Sequence, residues 1–256
     1  TYSVPSFSNE SCNLLAKSFV TIQYNELRYD VCQSSPLSTH GLVLDADKGY
    51  VITSQSYVNI EVSFVVIIFA KSIEVEAQII YSDPCKNYTI LKYDPSLVEA
   101  DVQTPTFEQK KPLEVSDEVF LVGIMEEGEL VCKSTAVSNI SIFPNQKFIF
   151  NVPNIKVSLL ILQKCEFGVY IDNEGKVRAI VFDTNTYSWD ERENFALDVT
   201  SLVSILEQLR EDGIINPTQI LDVPFQKISL NNARTKGVSD KWISKFDATK
   251  RQNELF

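Results

Sequence analysis

Residues 41–58 read GLVLDADKGYVITSQSYV, and most of the reading of the chain grows out of that stretch. Two short runs rich in β-branched and aromatic residues, GLVLD and YVIT, flank Ala46-Asp47-Lys48-Gly49. Polar residues ending in glycine between two such runs predict a hairpin turn. Outward from it the same texture continues. Runs at 19–24 (FVTIQY), 62–70 (VSFVVIIFA), 73–81 (IEVEAQIIY) and 88–93 (YTILKY) complete a first set of strands. Residues 98–112 then turn polar, with prolines and Gln109-Lys110-Lys111, which suits a connection between two halves. A second set follows at 119–124, 130–140, 147–152, 157–162, 168–171 and 176–182. Asn173-Glu174-Gly175 supplies the turn between the last two.

About a dozen strands in two sets with no interleaved helices predict an all-β protein built from paired barrels or a sandwich. One helix follows. Leu202, Val203, Ile205, Leu206 and Leu209 recur at helical spacing, Asp198 or Thr200 can cap the start, and Gly213 sits just past the end. Beyond Pro217, residues 220–225 are strand-like, and 231–235 and 239–246 read as short helical pieces. Forty residues are too few for an independent core, so this segment is expected to begin a further module or to pack on the barrels.

Composition removes several functional classes. Thirty-four acidic against 23 basic residues give a net charge of −11, which argues against a phosphate-backbone partner. The longest clean apolar run, 64–70, is far short of the ~20 residues that span a bilayer. With one histidine, His40, the usual histidine-based catalytic zinc centres cannot be assembled. No G-x-G-x-x-G or P-loop pattern occurs, so no nucleotide, metal or other cofactor is expected. Cys12, Cys32, Cys85, Cys132 and Cys165 are odd in number and lack C-x-x-C spacing. They read as single packing thiols of a reducing compartment. Asn9, Asn87 and Asn139 head glycosylation triplets of the kind that arise by chance. The turns around Asp45–Gly49, Glu126-Glu127-Gly128-Glu129 and Asp172–Gly175 read as solvated turns rather than metal loops. The sequence opens Thr-Tyr-Ser, and Met125 is its single methionine, so a longer parent chain is expected.

Several stretches together resemble the HtrA/DegP family of trypsin-like serine proteases. Residues 41–58 resemble its G-[ST]-G-V-I-I-D-x-x-G-Y-V-[VL]-T-N-x-H-V-V segment, and 82–92 (SDPCKNYTILK) its D-x-x-x-D-[IL]-A-[LV]-[IL]-[KR]. Residues 113–124 (LEVSDEVFLVGI) are similar to L-R-x-G-D-x-V-x-A-I-G, and 168–182 (GVYIDNEGKVRAIVF) to G-G-[AP]-L-x-N-x-x-G-x-[VL]-I-G-[IV]. The helix after Phe195-Ala196-Leu197 matches the one after the family's F-A-[IV]-P. Residues 87–98 (NYTILKYDPSLV) and 232–243 (NARTKGVSDKWI) are similar to the second protease-like repeat, and to the opening of the PDZ-like module, of the fungal nuclear pro-apoptotic branch.

The resemblance implies a trypsin-like double β-barrel with a C-terminal helix and a partial PDZ-like segment. It divides the chain into an N-terminal barrel (1–110), a C-terminal barrel (111–197), a helix and linker (198–216) and a truncated PDZ-like start (217–256). It also implies which positions should carry chemistry. The family histidine falls on Ser56, the aspartate on Asn87, the nucleophile on Glu166 and the oxyanion-loop glycine on Lys164, next to Cys165. Serine is no base at neutral pH, asparagine supplies no charge to steady an imidazolium, and a carboxylate at 166 repels a developing oxyanion. Lysine at 164 disfavours the tight turn that aims backbone N–H groups at that oxyanion.

The resulting expectation is a catalytically inactive pseudoprotease domain of an HtrA-type nuclear, pro-apoptotic protein, structural, regulatory or peptide-binding in role. Its expected partners are other domains of the parent, peptide segments in the former substrate cleft, or further copies in an oligomer. The alternative is a residual serine- or cysteine-type hydrolase with a non-standard site such as Cys165 with His40, which requires those side chains within hydrogen-bond reach. His40 itself reads as a loop or strand-edge imidazole, and Cys165 as a packing thiol.

Overall fold

A computed structural model describes residues 7–26, 36–59, 62–83, 86–108, 111–125, 128–142, 153–157, 165–182, 195–215, 228–247 and 254–255. After a short helix α1 (Glu10–Ala16) come β1 (Phe19–Glu26), β2 (Leu37–Asp45), β3 (Tyr50–Ser54), β4 (Val62–Phe69), β5 (Ile73–Asp83) and β6 (Tyr88–Tyr93). They form a closed antiparallel barrel in the order β1-β2-β3-β6-β5-β4. A 3₁₀ turn (Pro95–Leu97) and the polar connection lead to β7 (Glu118–Met125), β8 (Leu130–Ile142), β9 (Pro153–Val157), β10 (Cys165–Ile171), β11 (Val177–Phe182) and β12 (Phe195–Asp198). These make a second sheet, β12-β11-β10-β7-β8-β9, whose end strands β9 and β12 lie against each other. Helix α2 (Thr200–Glu211) follows, then β13 (Ile228–Ser229), α3 (Leu230–Thr235), α4 (Asp240–Asp247) and β14 (Glu254–Leu255).

Strands β3, β6, β10 and β11 are buried nearly throughout because both of their faces are covered, whereas β5 alternates buried or half-buried with exposed residues. Val43, Val51, Leu91 and Tyr93 point into the first barrel with Val20, Ile22 and Ile67. Their neighbours Leu42, Leu44, Tyr50, Ile52 and Ile90 point the other way. There they meet Val122, Phe167, Val169, Ile180 and Phe182 of the second sheet and Leu202, Leu206 and Leu209 of α2. The alternate residues Leu121, Tyr170, Ala179 and Val181 fill the second sheet's own interior. Period-two alternation thus builds two barrel cores and one shared core from the same strands. At ~1.5–3 kcal/mol for each large apolar side chain, this shared layer is ample to hold the barrels together without any catalytic group.

Helix α2 closes the arrangement. Asp198 Oδ1 accepts from the Thr200 N–H at 2.8 Å, but the N-cap position is held by Val199, which makes no side-chain cap bond, so neither Asp198 nor Thr200 is the cap; Gly213 (φ 68°) stands just past the end. The helix also reaches the first barrel: Arg210 Nε donates to Asp45 Oδ2 at 2.6 Å, and Tyr50 Oη to the Leu209 carbonyl at 3.2 Å. The predicted 46–49 and 172–175 turns are present, each closed by a left-handed glycine, Gly49 (φ 74°) and Gly175 (φ 82°).

Two expectations are corrected. The cysteines are not all single thiols: Cys12 and Cys132 form a disulfide with a Cα–Cα distance of 6.5 Å. The sequence reading lacked α1, the element that carries Cys12 to the β7–β8 hairpin, and the two cysteines stand 120 residues apart. His40 is not in a loop before its strand, because β2 begins at Leu37 and pairs His40 with Thr21. The strand readings at 147–152, 158–162 and 220–225, and the residues Cys32, Cys85, Glu126 and Glu127, lie outside the described residues.

Candidate functional site

Because β3 pairs with β6, with Ser54 opposite Tyr88, the residues just after β3 and just before β6 are brought side by side. This places Ser56 against Asn87. The chain turns after Ser54, whose carbonyl accepts from the N–H groups of Tyr57 (3.3 Å) and Val58 (3.0 Å). Asn87 adopts a left-handed backbone (φ 57°), which asparagine tolerates better than most residues. Its Oδ1 accepts from the Ser56 backbone N–H at 3.0 Å and from Ser56 Oγ at 2.8 Å, while its own carbonyl accepts from the Gln55 N–H at 3.2 Å. Asn87 is 1% exposed, and its Nδ2 has no hydrogen-bond partner among the described residues. The Ser56 proton is therefore donated to an amide oxygen, which accepts a hydrogen bond but does not take up a proton near neutral pH.

Glu166, near the start of β10, is met from the first barrel by His40: His40 Nε2 lies 3.3 Å from Glu166 Oε2. Thr53 Oγ1 donates to the His40 carbonyl at 2.8 Å, and Gly41, the next residue, pairs with Thr53. The two pairs, Ser56–Asn87 within the first barrel and His40–Glu166 across the barrels, thus gather at the same end of β3. Burial holds the His40 pKa below that of an ordinary imidazole, and the Lys71 ammonium adds to it. The Glu166 carboxylate pulls the other way, but it is 39% exposed and screened by water. A neutral ring that donates Nε2–H to the carboxylate fits these surroundings. It leaves Nδ1 as a buried lone pair, and Nδ1 has no partner among the described residues.

Cys165 faces elsewhere. It is 1% exposed, lies in the second barrel's interior with Leu121 and Met125, and its Sγ rests against Gly123 and Gly168. Lys164 lies outside the described residues. A cleft of about 1090 Å³ is walled by β1, by His40, by the β4–β5 turn, by the connection near Asp101 and by the β7–β8 turn. Among the described residues no group of three His, Cys, Asp or Glu side chains could hold a metal, and no helix is long and apolar enough to cross a membrane. The His40–Glu166 contact was missed in the sequence, where nothing marks two residues so far apart as neighbours.

No protein-family model matches the chain. Among curated proteins it is 33% identical over 264 residues, 94% of its length, to the pro-apoptotic serine protease NMA111 of Scheffersomyces stipitis. It is 36% identical over 222 residues, 84% of its length, to the protein of that name from Kluyveromyces lactis. The chain spans only about a quarter of the length of these relatives, 26% and 22% respectively. Among solved structures, a variant of the HtrA-type protease AlgW with a tripeptide superposes with a TM-score of 0.64 at 14% identity, over 90% of this chain and 72% of that one. A protease from M. tuberculosis in its active form gives 0.59 at 18% identity, over 82% and 87%. The structures share the fold and the curated relatives share the sequence; the chain belongs to the HtrA-type family of trypsin-like serine proteases.

Proposed function

We propose that this is a non-catalytic, protease-like domain of a longer HtrA-type protein, which keeps the trypsin scaffold without the groups that acyl transfer needs. The observation that carries the reading is the hydrogen bond from Ser56 Oγ to Asn87 Oδ1 at 2.8 Å. At the places aligned with the family's base and its orienting carboxylate, a hydroxyl and an amide satisfy each other, and neither can draw a proton from a nucleophile. The aligned nucleophile place holds Glu166, a carboxylate engaged by the chain's single imidazole. A Cys165–His40 dyad is disfavoured because the thiol packs in the second barrel's interior while the ring turns to Glu166. Scaffolds of this kind outlast their chemistry because burial, not the triad, stabilises them.

The role that fits is structural or regulatory, beside a catalytic repeat elsewhere in the parent, with peptide capture in the inter-barrel cleft as its binding mode. Nuclear location and the reading of residues 217–256 as the start of a PDZ-like module are carried by the resemblance and belong to the same proposal. The test is direct. Purified chain should leave unfolded casein intact and remain unlabelled by serine-directed phosphonates. The triple variant Ser56→His, Asn87→Asp, Glu166→Ser should stay inactive, since Lys164 and Phe167 flank the rebuilt nucleophile. Inhibitor-sensitive turnover by the unaltered chain would overturn the reading.

A further inference from the structure

We propose that His40 is an acid-sensitive switch in the contact between the two barrels: protonating its ring releases Glu166 and opens the cleft that the ring lines. This goes beyond the proposed function and does not depend on whether the domain cleaves peptides. The geometry carries it. The ring sits on a first-barrel strand, touches a second-barrel carboxylate at 3.3 Å, and is 18% exposed to the cleft. In its neutral form one nitrogen is satisfied by Glu166, and the other is a buried lone pair with no partner among the described residues. A buried lone pair without a donor already carries a cost. An added proton turns it into a buried N–H donor with no acceptor, which costs a good deal more.

The remaining charges around the ring decide the direction. Glu166 on β10 favours the cation, but it can accept from only one of the two nitrogens in this orientation. Lys71, on the β4–β5 turn, opposes the cation. The other charged groups on the cleft wall are Lys17 after α1, Glu99 and Asp101 on the connection, and Glu129 on the β7–β8 turn; Lys17 is engaged by Asp101. From the flanking strands, Thr21 of β1 and Thr53 of β3 bring no charge. Turning the ring into the cleft gives both N–H groups water and takes Nε2 away from Glu166. The wall beside the ring also carries backbone strain: Ala70 (φ 47°) and Lys71 (φ 54°) are two successive left-handed residues without glycine.

The experiment is amide hydrogen exchange on the whole chain at about pH 7.5 and about pH 5, on either side of the imidazole range, corrected for intrinsic rates. The chain has one imidazole, so its NMR signal reports His40 alone. The expected tautomer at neutral pH is Nε2–H. Exchange in 68–73 and 128–131 should rise on acidification, by about tenfold for each pKa unit that burial removes from the ring. His40→Gln should abolish the rise. Glu166→Gln, which keeps an acceptor but drops the charge, should move the transition to lower pH. A rise that persists in His40→Gln overturns the proposal, as does flat exchange in the unaltered chain while His40 titrates. If His40→Gln does not fold, Glu166→Gln decides, and an unmoved transition refutes the switch.

Discussion

Asn87 does two separable jobs, and replacing it by alanine and by glycine separates them. Its Oδ1 fastens the turn after β3 by accepting from the Ser56 N–H and Oγ, and its backbone stands in the left-handed region at φ 57°. Alanine removes both hydrogen bonds, each worth ~1 kcal/mol net. It also puts an ordinary L-residue where the left-handed form costs roughly 1 kcal/mol more. Glycine removes the bonds but adopts the backbone freely. The expected order is Asn87→Ala about 3 kcal/mol, Asn87→Gly about 2 and Ser56→Ala at most about 1, since Ser56→Ala keeps the backbone bond. Urea unfolding followed by far-UV circular dichroism should show these as shifts of midpoint at constant slope. For a chain of this size, the alanine variant should lose about 6–12 °C in Tm. Equal losses for alanine and glycine would refute the backbone argument. A loss under about 1 kcal/mol for glycine would mean that Asn87 does not hold the turn.

Gly123→Ala places a Cβ 2.7 Å from Cys165 Sγ and 3.1 Å from the Phe167 carbonyl oxygen, so urea unfolding should show a loss of about 1–3 kcal/mol from overpacking. Ala70→Asn with Lys71→Gly puts residues suited to a left-handed turn where two unsuited ones stand, and a gain of about 1 kcal/mol in the same assay is expected. The folded-state pKa of His40 lies below its unfolded value, so the unfolded chain binds the proton more readily. Stability is accordingly unaffected above the unfolded imidazole value, ~6.5, and falls as the pH drops through it towards the lower folded value. His40→Gln should escape that loss, and its urea midpoint should gain on the unaltered chain between about pH 7.5 and about pH 5.

Much of the fold was legible because strands buried on both faces leave an unmistakable record. Runs such as 50–53, 88–93 and 176–182 lie within a residue of the observed strands β3, β6 and β11. The long helix was equally legible, since five apolar residues at helical spacing need a shared core to meet. What escaped was short or half-exposed. Helix α1 has seven residues, too few for a period to show, and is announced only by Asn9, whose Oδ1 accepts from the Ser11 N–H. The first half of β2 is polar and only partly buried, so the pattern shows the strand only from Gly41 and leaves His40 as a loop or strand-edge imidazole. Strand β12 has four residues and was read only as a motif.

The amino-acid sequence by itself settled the all-β class, the two sets of strands, the terminal helix and the absence of any second imidazole. Periodicity, turn chemistry and composition act over a few residues and are written locally. Tertiary structure alone decided which distant groups became neighbours: Cys12 with Cys132, Arg210 with Asp45, and His40 with Glu166. Those encounters depend on how one barrel docks on the other, and docking is set by the shape of the shared apolar layer, which no single stretch of chain encodes.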